Sequence, residues 1–163
     1  MQAPLTPAYV LHSRPYRDSS ALVDLLTLHH GLQRVVWRGA RGQRRKLVPQ
    51  PFMPLLVGMA GRSELKTLTQ AEVAGGFTQL QGEVLFSGLY LNELLVRLLR
   101  TGDAQPLLFA AYQGALEQLA QGDRVEPILR RFEWQLLAIL GYGFSLTEDA
   151  NGQPVGAQQR YVW

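Results

Sequence analysis

The sequence predicts an α+β protein: a small closed barrel of five β-strands followed by an all-helical segment. Three observations carry this prediction. Short runs of β-branched and aromatic residues, separated by Gly, Pro and polar turns, fill residues 8–73. At Gly75-Gly76 the texture changes, and three patterns of helical period follow. Finally, the 163 residues are 47% hydrophobic and 18% charged, enough apolar surface for a real core and too little charge for a disordered chain.

The strands are expected near 7–15, 21–28, 32–39, 51–59 and 64–73. His29-His30-Gly31 makes a tight connection between the second and third, and Gly61-Arg62-Ser63 joins the fourth and fifth. Five short strands with little helix between them favour closure, which removes exposed sheet edges. The longest irregular piece is Gly39 to Gln50.

Helices are expected at 82–100, 104–121 and 124–140. On the first, Ser87, Glu93, Arg97 and Arg100 share one side of a helical wheel and the rest is Val, Leu, Phe and Tyr, which predicts a largely buried helix. Asp103 is a candidate N-cap for the second, and Gly122 follows its end. Asp123 and Glu126 have the spacing of a capping box at the start of the third, with Pro127 in its first turn and Gly141 as its stop. The expected division is a barrel domain over 1–76 and a helical domain over 77–163. The closing Arg160-Tyr-Val-Trp163 reads as a strand-like run cut short, as in a truncated chain.

Several chemistries have nothing to stand on. There is no cysteine, so disulfides, thiolate metal sites and cysteine nucleophiles are excluded together. Phosphate-loop, dinucleotide, zinc-protease and nucleophile-elbow motifs are all missing. His12 reads as a partly buried strand residue and His29-His30 as a solvated turn, so no metal site and no catalytic residue is assigned. The first residues carry no basic segment followed by an apolar run. Val84 to Leu99, the most apolar stretch, contains Asn92, Glu93 and Arg97, too polar for a membrane span where each central charge costs about 2.5–3.5 kcal/mol. A cytoplasmic protein is expected.

Charge is unevenly spread. Residues 1–75 carry ten cations against four acids, and residues 76–163 carry six against nine, so a +6 half is joined to a −3 half. Long-range steering of a polyanion depends on where charge lies. Arg38, Arg41, Arg44, Arg45 and Lys46 fall within nine residues, and no acid occurs from 25 to 63. Two glycines in this run let the backbone approach a phosphate, which makes it a nucleic-acid loop candidate. Alternation sets Arg34, Val36 and Arg38 on one face of the third strand and Gln33, Val35 and Trp37 on the other. Trp37 either stacks on a base or fills the barrel, and core is favoured. Arg14 and Arg17, around Pro15-Tyr16, form a weaker second site with Tyr16 as its stacking ring.

The third helix has an unusual far side. Arg130, Trp134 and Arg131 lie there at about 200°, 240° and 300° by the 100° helical step, opposite a core side of Phe132, Leu136 and Ile139. An exposed Trp between guanidiniums suits a peptide with an apolar end and negative charge. Equally, Trp134 packs on a further C-terminal segment.

Blocks along nearly the whole chain resemble the bacterial RecO family of DNA repair proteins. They are Tyr9-Val-Leu-His-Ser-Arg-Pro-Tyr16, Gly39-Ala-Arg41, Gln50-Pro-Phe-Met-Pro-Leu55, Gly61-Arg-Ser-Glu-Leu-Lys-Thr67, Gly88-Leu-Tyr-Leu-Asn-Glu-Leu-Leu95, and Leu129-Arg-Arg-Phe-Glu133 with Leu140-Gly-Tyr-Gly143. The resemblance implies that the barrel is an OB-fold and that the helical domain follows it. It also implies a non-enzymatic recombination mediator, associated with the nucleoid, that binds single- and double-stranded DNA and anneals it. Its implied partners are RecR and the acidic C-terminal tail of the single-stranded DNA-binding protein SSB, which it helps RecA to displace. Arg130, in the Leu-Arg-Arg-Phe-Glu block, is the first expectation for the carboxylate of that tail, Arg131 the second and Trp134 the third member. Two departures stand out. The cysteine zinc cluster of some members cannot exist here, and the family's chains run longer, so the last part of the helical domain is expected to be missing. A general single-stranded nucleic-acid binder whose helices are structural is the alternative reading.

Overall fold

The computed structural model describes residues 4–44, 46–76 and 79–160. Its strands are β1 (Thr6–Tyr16), β2 (Ser20–Thr27), β3 (Gly31–Trp37), β4 (Pro54–Ala60) and β5 (Leu65–Val73), closed into a barrel in the order β1-β2-β3-β5-β4. Neighbours run antiparallel except β3 and β5, which pair in parallel through Arg34–Val36 and Leu65–Thr67. This is an OB-fold barrel.

Period-two alternation turns Ala8, Val10, Ala21, Val23, Leu25, Val35, Leu55, Val57 and Leu68 into one interior cluster. In β1 the alternation breaks. Val10 pairs with Leu25 and His12 with Asp24, so Leu11 is an extra residue between them, a β-bulge. Val10 therefore points into the barrel while Leu11 joins a second core outside it.

That second core is built by the helices α1 (Glu83–Leu98), α2 (Pro106–Gln121) and α3 (Val125–Ile139). Leu91, Leu95, Leu108, Tyr112, Ile128, Phe132 and Leu136 pack against Leu11, Leu26, Leu32 and Phe52 on the barrel wall. Each such side chain, fully buried, contributes about 1.5–3 kcal/mol. The Tyr9 ring lies 5.4 Å from Phe109 and 5.3 Å from Tyr112, extending the contact. At its centre Asn92 donates to the carbonyl of Leu11 at 2.8 Å and accepts from the Tyr112 hydroxyl at 2.6 Å. The bulged residue has no ladder partner, so its carbonyl is free for this bond.

Two glycines fix how closely the parts approach. A Cβ on Gly88 would meet Leu80 at 2.6 Å and the Phe52 ring at 2.9 Å, so α1 can rest on Phe52 only at a glycine. Gly31, at φ +63°, would place a Cβ 2.0 Å from the Asp103 carbonyl oxygen. Beside it, Gly102 donates to Leu32 and seats the α1–α2 connection on β3.

The structure corrects several details. α1 is not largely buried: its packed stripe is Gly88, Leu91, Asn92 and Leu95, while Phe86 is 71% exposed. Among the described residues, only the side facing the barrel and the other helices is packed. Asp103 does not cap α2, which begins at Pro106 after Gln105. Proline's fixed φ suits a first helical position, and the backbone of Asp103 is committed against Gly31. Nor does Asp123 cap α3, whose N-cap is Arg124. The Asp123 amide donates to Gln118 and that of Gly122 to Leu119, a Schellman closure of α2 that takes Asp123 for the preceding helix. His12 is exposed rather than partly buried, and His29 and His30 stand in an exposed turn. Of the terminal run, Tyr161 to Trp163 lies outside the described residues, as does Phe77 at the expected domain boundary.

Candidate nucleic-acid interface

Ladder register orders the outer face of the barrel into rows. His12, Asp24, Arg34 and Leu65 form one, and Arg14, Leu22, Val36 and Thr67 the next. Tyr16 and Ser20 follow, at the rim where Arg38 leaves β3. Leu22 and Val36 thus give an apolar strip edged by Arg14, Arg34 and Arg38, and all three arginines are exposed.

Arg34 is less available than its position suggests. Its Nε donates to Asp24 Oδ1 at 2.7 Å, and the Asp24 side chain is only 7% exposed. That hydrogen bond, then the carboxylate charge, raises the Arg34 pKa further above its ordinary value. The pair contributes no net charge to the face. His12 Nδ1, 3.9 Å from Asp24 Oδ2, sits at the edge of the same group.

The rim loops converge on Arg38. Arg17, at φ 51°, holds its guanidinium 5.1 Å from the centre of the Tyr16 ring, a cation–π contact. The Arg41 side chain donates to the Arg17 carbonyl and its amide to the Ser19 carbonyl, tying the β1–β2 turn to the β3–β4 loop. Ala40, 2% exposed, plugs into the barrel interior and anchors this loop between its cations. A groove of about 390 Å³ runs past Tyr16, Arg17, Val36, Arg38, Lys66 and Thr67. A second, of about 370 Å³, runs past Trp37, Arg38, Arg44, Lys46, Leu68 and Gln70. Arg17, Arg38, Arg41, Arg44 and Lys46 are thereby brought to one rim, with Arg14 and Arg34 farther along the face. Arg45 lies outside the described residues. Trp37 is half-buried against the barrel interior, its expected place.

Lys66 is the cation that sequence reasoning missed. Parallel pairing of β5 with β3 brings it to the first groove, where it also donates to the Gly61 carbonyl at 3.0 Å. Its place in the Gly61-to-Thr67 block was the available signal.

The α3 residues are arranged differently. Arg130 Nη1 lies 2.7 Å from Glu133 Oε2, and the other Glu133 oxygen accepts from the Tyr90 hydroxyl of α1 at 2.7 Å. This hydrogen bond, ahead of partial burial, holds the Tyr90 pKa above its ordinary value. Arg131 is exposed and has no ion pair among the described residues. Trp134, 36% exposed, donates its indole N–H to the Phe144 carbonyl at 3.1 Å, so the segment after α3 folds back across it. Among the described residues no cluster of three His, Asp or Glu side chains is placed to hold a metal ion, and no helix is long and apolar enough to cross a membrane.

The model for the N-terminal part of recombination protein O matches residues 1–77, and that for its C-terminal part matches 79–163. The chain belongs to the RecO family. The DNA repair protein RecO of Stutzerimonas stutzeri strain A1501 is 54% identical over 155 residues, which cover 95% of this chain and 65% of that protein. RecO of Pseudomonas aeruginosa strain LESB58 is 54% identical over 153 residues, covering 94% and 65%. RecO of Pseudomonas putida strain W619 is 51% identical over 155 residues, covering 95% and 67%. The chain thus spans about two thirds of the length of these RecO relatives.

Proposed function

We propose that this chain acts in DNA repair by recombination, as a mediator that binds single- and double-stranded DNA and anneals complementary strands. The observation that carries this reading is the barrel rim, where Arg17, Arg38, Arg44, Lys46 and Lys66 line two grooves with no carboxylate among their described wall residues and Arg41 is bonded alongside, in a chain of the RecO family. Residues 1–76 serve as the DNA-binding domain and 77–163 as the domain that meets protein partners. The work is charge neutralisation: the cations replace the counterions of two polyanions and let them approach. Phosphate contacts carry no sequence information, so sequence preference is weak. Tyr16 and the Leu22–Val36 strip offer surfaces for unstacked bases. No covalent step is needed, and the protein is not an enzyme in that sense. Its place is the cytoplasm, at the nucleoid.

The partners follow from the family. RecR and the acidic SSB tail are engaged, and RecA is helped onto the strand. For the tail carboxylate, Arg131 offers its guanidinium outright, whereas Arg130 must first give up Glu133. Trp134 lies close by on the same helix. Losing a desolvated charge-assisted pair costs about 2–5 kcal/mol, most of a micromolar affinity. A labelled tail peptide titrated against Arg130→Ala and Arg131→Ala should lose binding to at least one; wild-type affinity in both places the peptide elsewhere.

Annealing of complementary strands by the purified chain, with and without SSB coating them, tests the main reading. Acceleration in both cases is expected. Acceleration on bare strands alone, with no tail binding, would favour a general single-strand binder. No DNA binding at low salt would refute both.

A further inference from the structure

We infer that the barrel rim holds two strands at once, one in each of the grooves that meet at Arg38. The inference rests on the annealing reading above and adds where each strand lies. Three other grooves on the described surface each include a carboxylate: Glu117 in one, Asp24 and Glu64 in the next, Asp24 and Glu93 in the third. The two that touch Arg38 include none.

Each of these two has, by itself, the parts that hold a single strand. One offers the Tyr16 ring with Arg17 and Lys66, the other Arg44 and Lys46 with the exposed part of the half-buried Trp37. A cationic wall tracks a phosphate backbone while an aromatic face receives a base. Between them stands a ridge made by Arg38 and Gly39, which line both. Gly39 turns at φ +70° into open space, so no side chain raises that ridge. A guanidinium is a planar fork with donors on more than one edge, so Arg38 can meet a phosphate from either side and offset the repulsion between two backbones lying parallel to it. Two strands so placed are already neighbours, and annealing becomes local pairing rather than a fresh encounter.

Native mass spectrometry of the full chain with a short oligothymidylate, about eight nucleotides and within the span of one OB-fold site, counts the strands directly. Wild type should saturate at two oligonucleotides per chain. Lys66→Glu and, separately, Arg44→Glu with Lys46→Glu should each leave one, and each should slow annealing of longer complementary strands roughly tenfold or more, since lost phosphate contacts weaken binding steeply at moderate salt. Arg38→Glu should disturb both grooves. Arg38, Arg44 and Lys46 are exposed and Lys66 is partly buried, and circular dichroism checks that each variant folds. Saturation of wild type at one oligonucleotide, or complete loss of binding in either groove variant, overturns the inference. With one oligonucleotide bound and annealing intact, the DNA-annealing reading survives and only the two-groove placement falls; with no DNA bound at all, that reading fails first.

Discussion

Replacing Asn92 by alanine removes the polar link between barrel and helices, and the structure sets the size of the effect. Asn92 is 4% exposed and makes one bond to the Leu11 carbonyl and one to the Tyr112 hydroxyl, in residues that are 1% and 0% exposed. A buried polar group left without its partner costs about 1–3 kcal/mol. Two such groups, with a small cavity that water can partly fill, give a predicted loss of about 2–5 kcal/mol out of a total stability of about 5–15 kcal/mol. For a chain of this size that lowers the melting temperature by roughly 4–20 °C, at about 2–4 °C per kcal/mol. Tyr112→Phe removes only one bond and should cost less, about 1–2 kcal/mol. Urea unfolding followed by far-UV circular dichroism and tryptophan fluorescence measures both, and the double variant should show a coupling of about 0.5–3 kcal/mol. A loss below about 0.5 kcal/mol for Asn92→Ala, the size of an ordinary surface change, would refute the assignment of this network as the joint between the two cores.

Four further outcomes are expected. Burial holds the Tyr112 hydroxyl pKa well above its ordinary value. The neutral form is therefore favoured by folding; its stabilisation is complete below the unfolded pKa of about 10 and is lost as pH rises beyond it, and Tyr112→Phe should flatten that alkaline decline in a pH series of melting curves. Gly31→Ala, which needs φ +63° and collides with the Asp103 backbone, should cost about 2–4 kcal/mol in the same urea assay. Arg44→Glu with Lys46→Glu should reduce the slope of log affinity against log salt for single-stranded DNA by about 1.4, at about 0.7 per phosphate contact, and an unchanged slope would remove the loop from the interface. Chelator treatment should leave the melting temperature unchanged, and stoichiometric zinc whose loss lowers it would overturn the expectation that the chain needs no metal.

The sequence made the elements legible because their signals are local. Alternation and turn residues located all five strands to within a few residues, and helical period located α1, α2 and α3. What it could not show were facts decided by partners. A helical wheel sees the apolar composition of α1 but not that the described residues leave Phe86 71% exposed. A capping box is a spacing, and Asp123 had a competing use at the end of α2. Arg34 reads as a free cation until β2 and β3 pair in register and bring Asp24 against it. Lys66 lies more than twenty residues beyond Arg38 in sequence, and only the parallel closure of the barrel makes them neighbours around one groove. The β-bulge at Leu11, which lets one strand serve two cores, left no mark beyond a pair of adjacent apolar residues.

The parallel seam between β3 and β5 is short, three residue pairs from Arg34–Leu65 to Val36–Thr67, and it is where the ring shuts. A ligand lying against both Arg38 and Lys66 spans that seam and acts as a latch on it. By linkage, whatever free energy such a ligand gains is added to the cost of prising the ring open. Amide exchange at Val35, Val36 and Lys66 should then slow when the groove is filled, while exchange in α2, which lines neither groove at Arg38, keeps its pace. Conversely, a nascent chain released before β5 has formed possesses the arginine loop but not the groove, so strand capture must await the last pairing of the barrel.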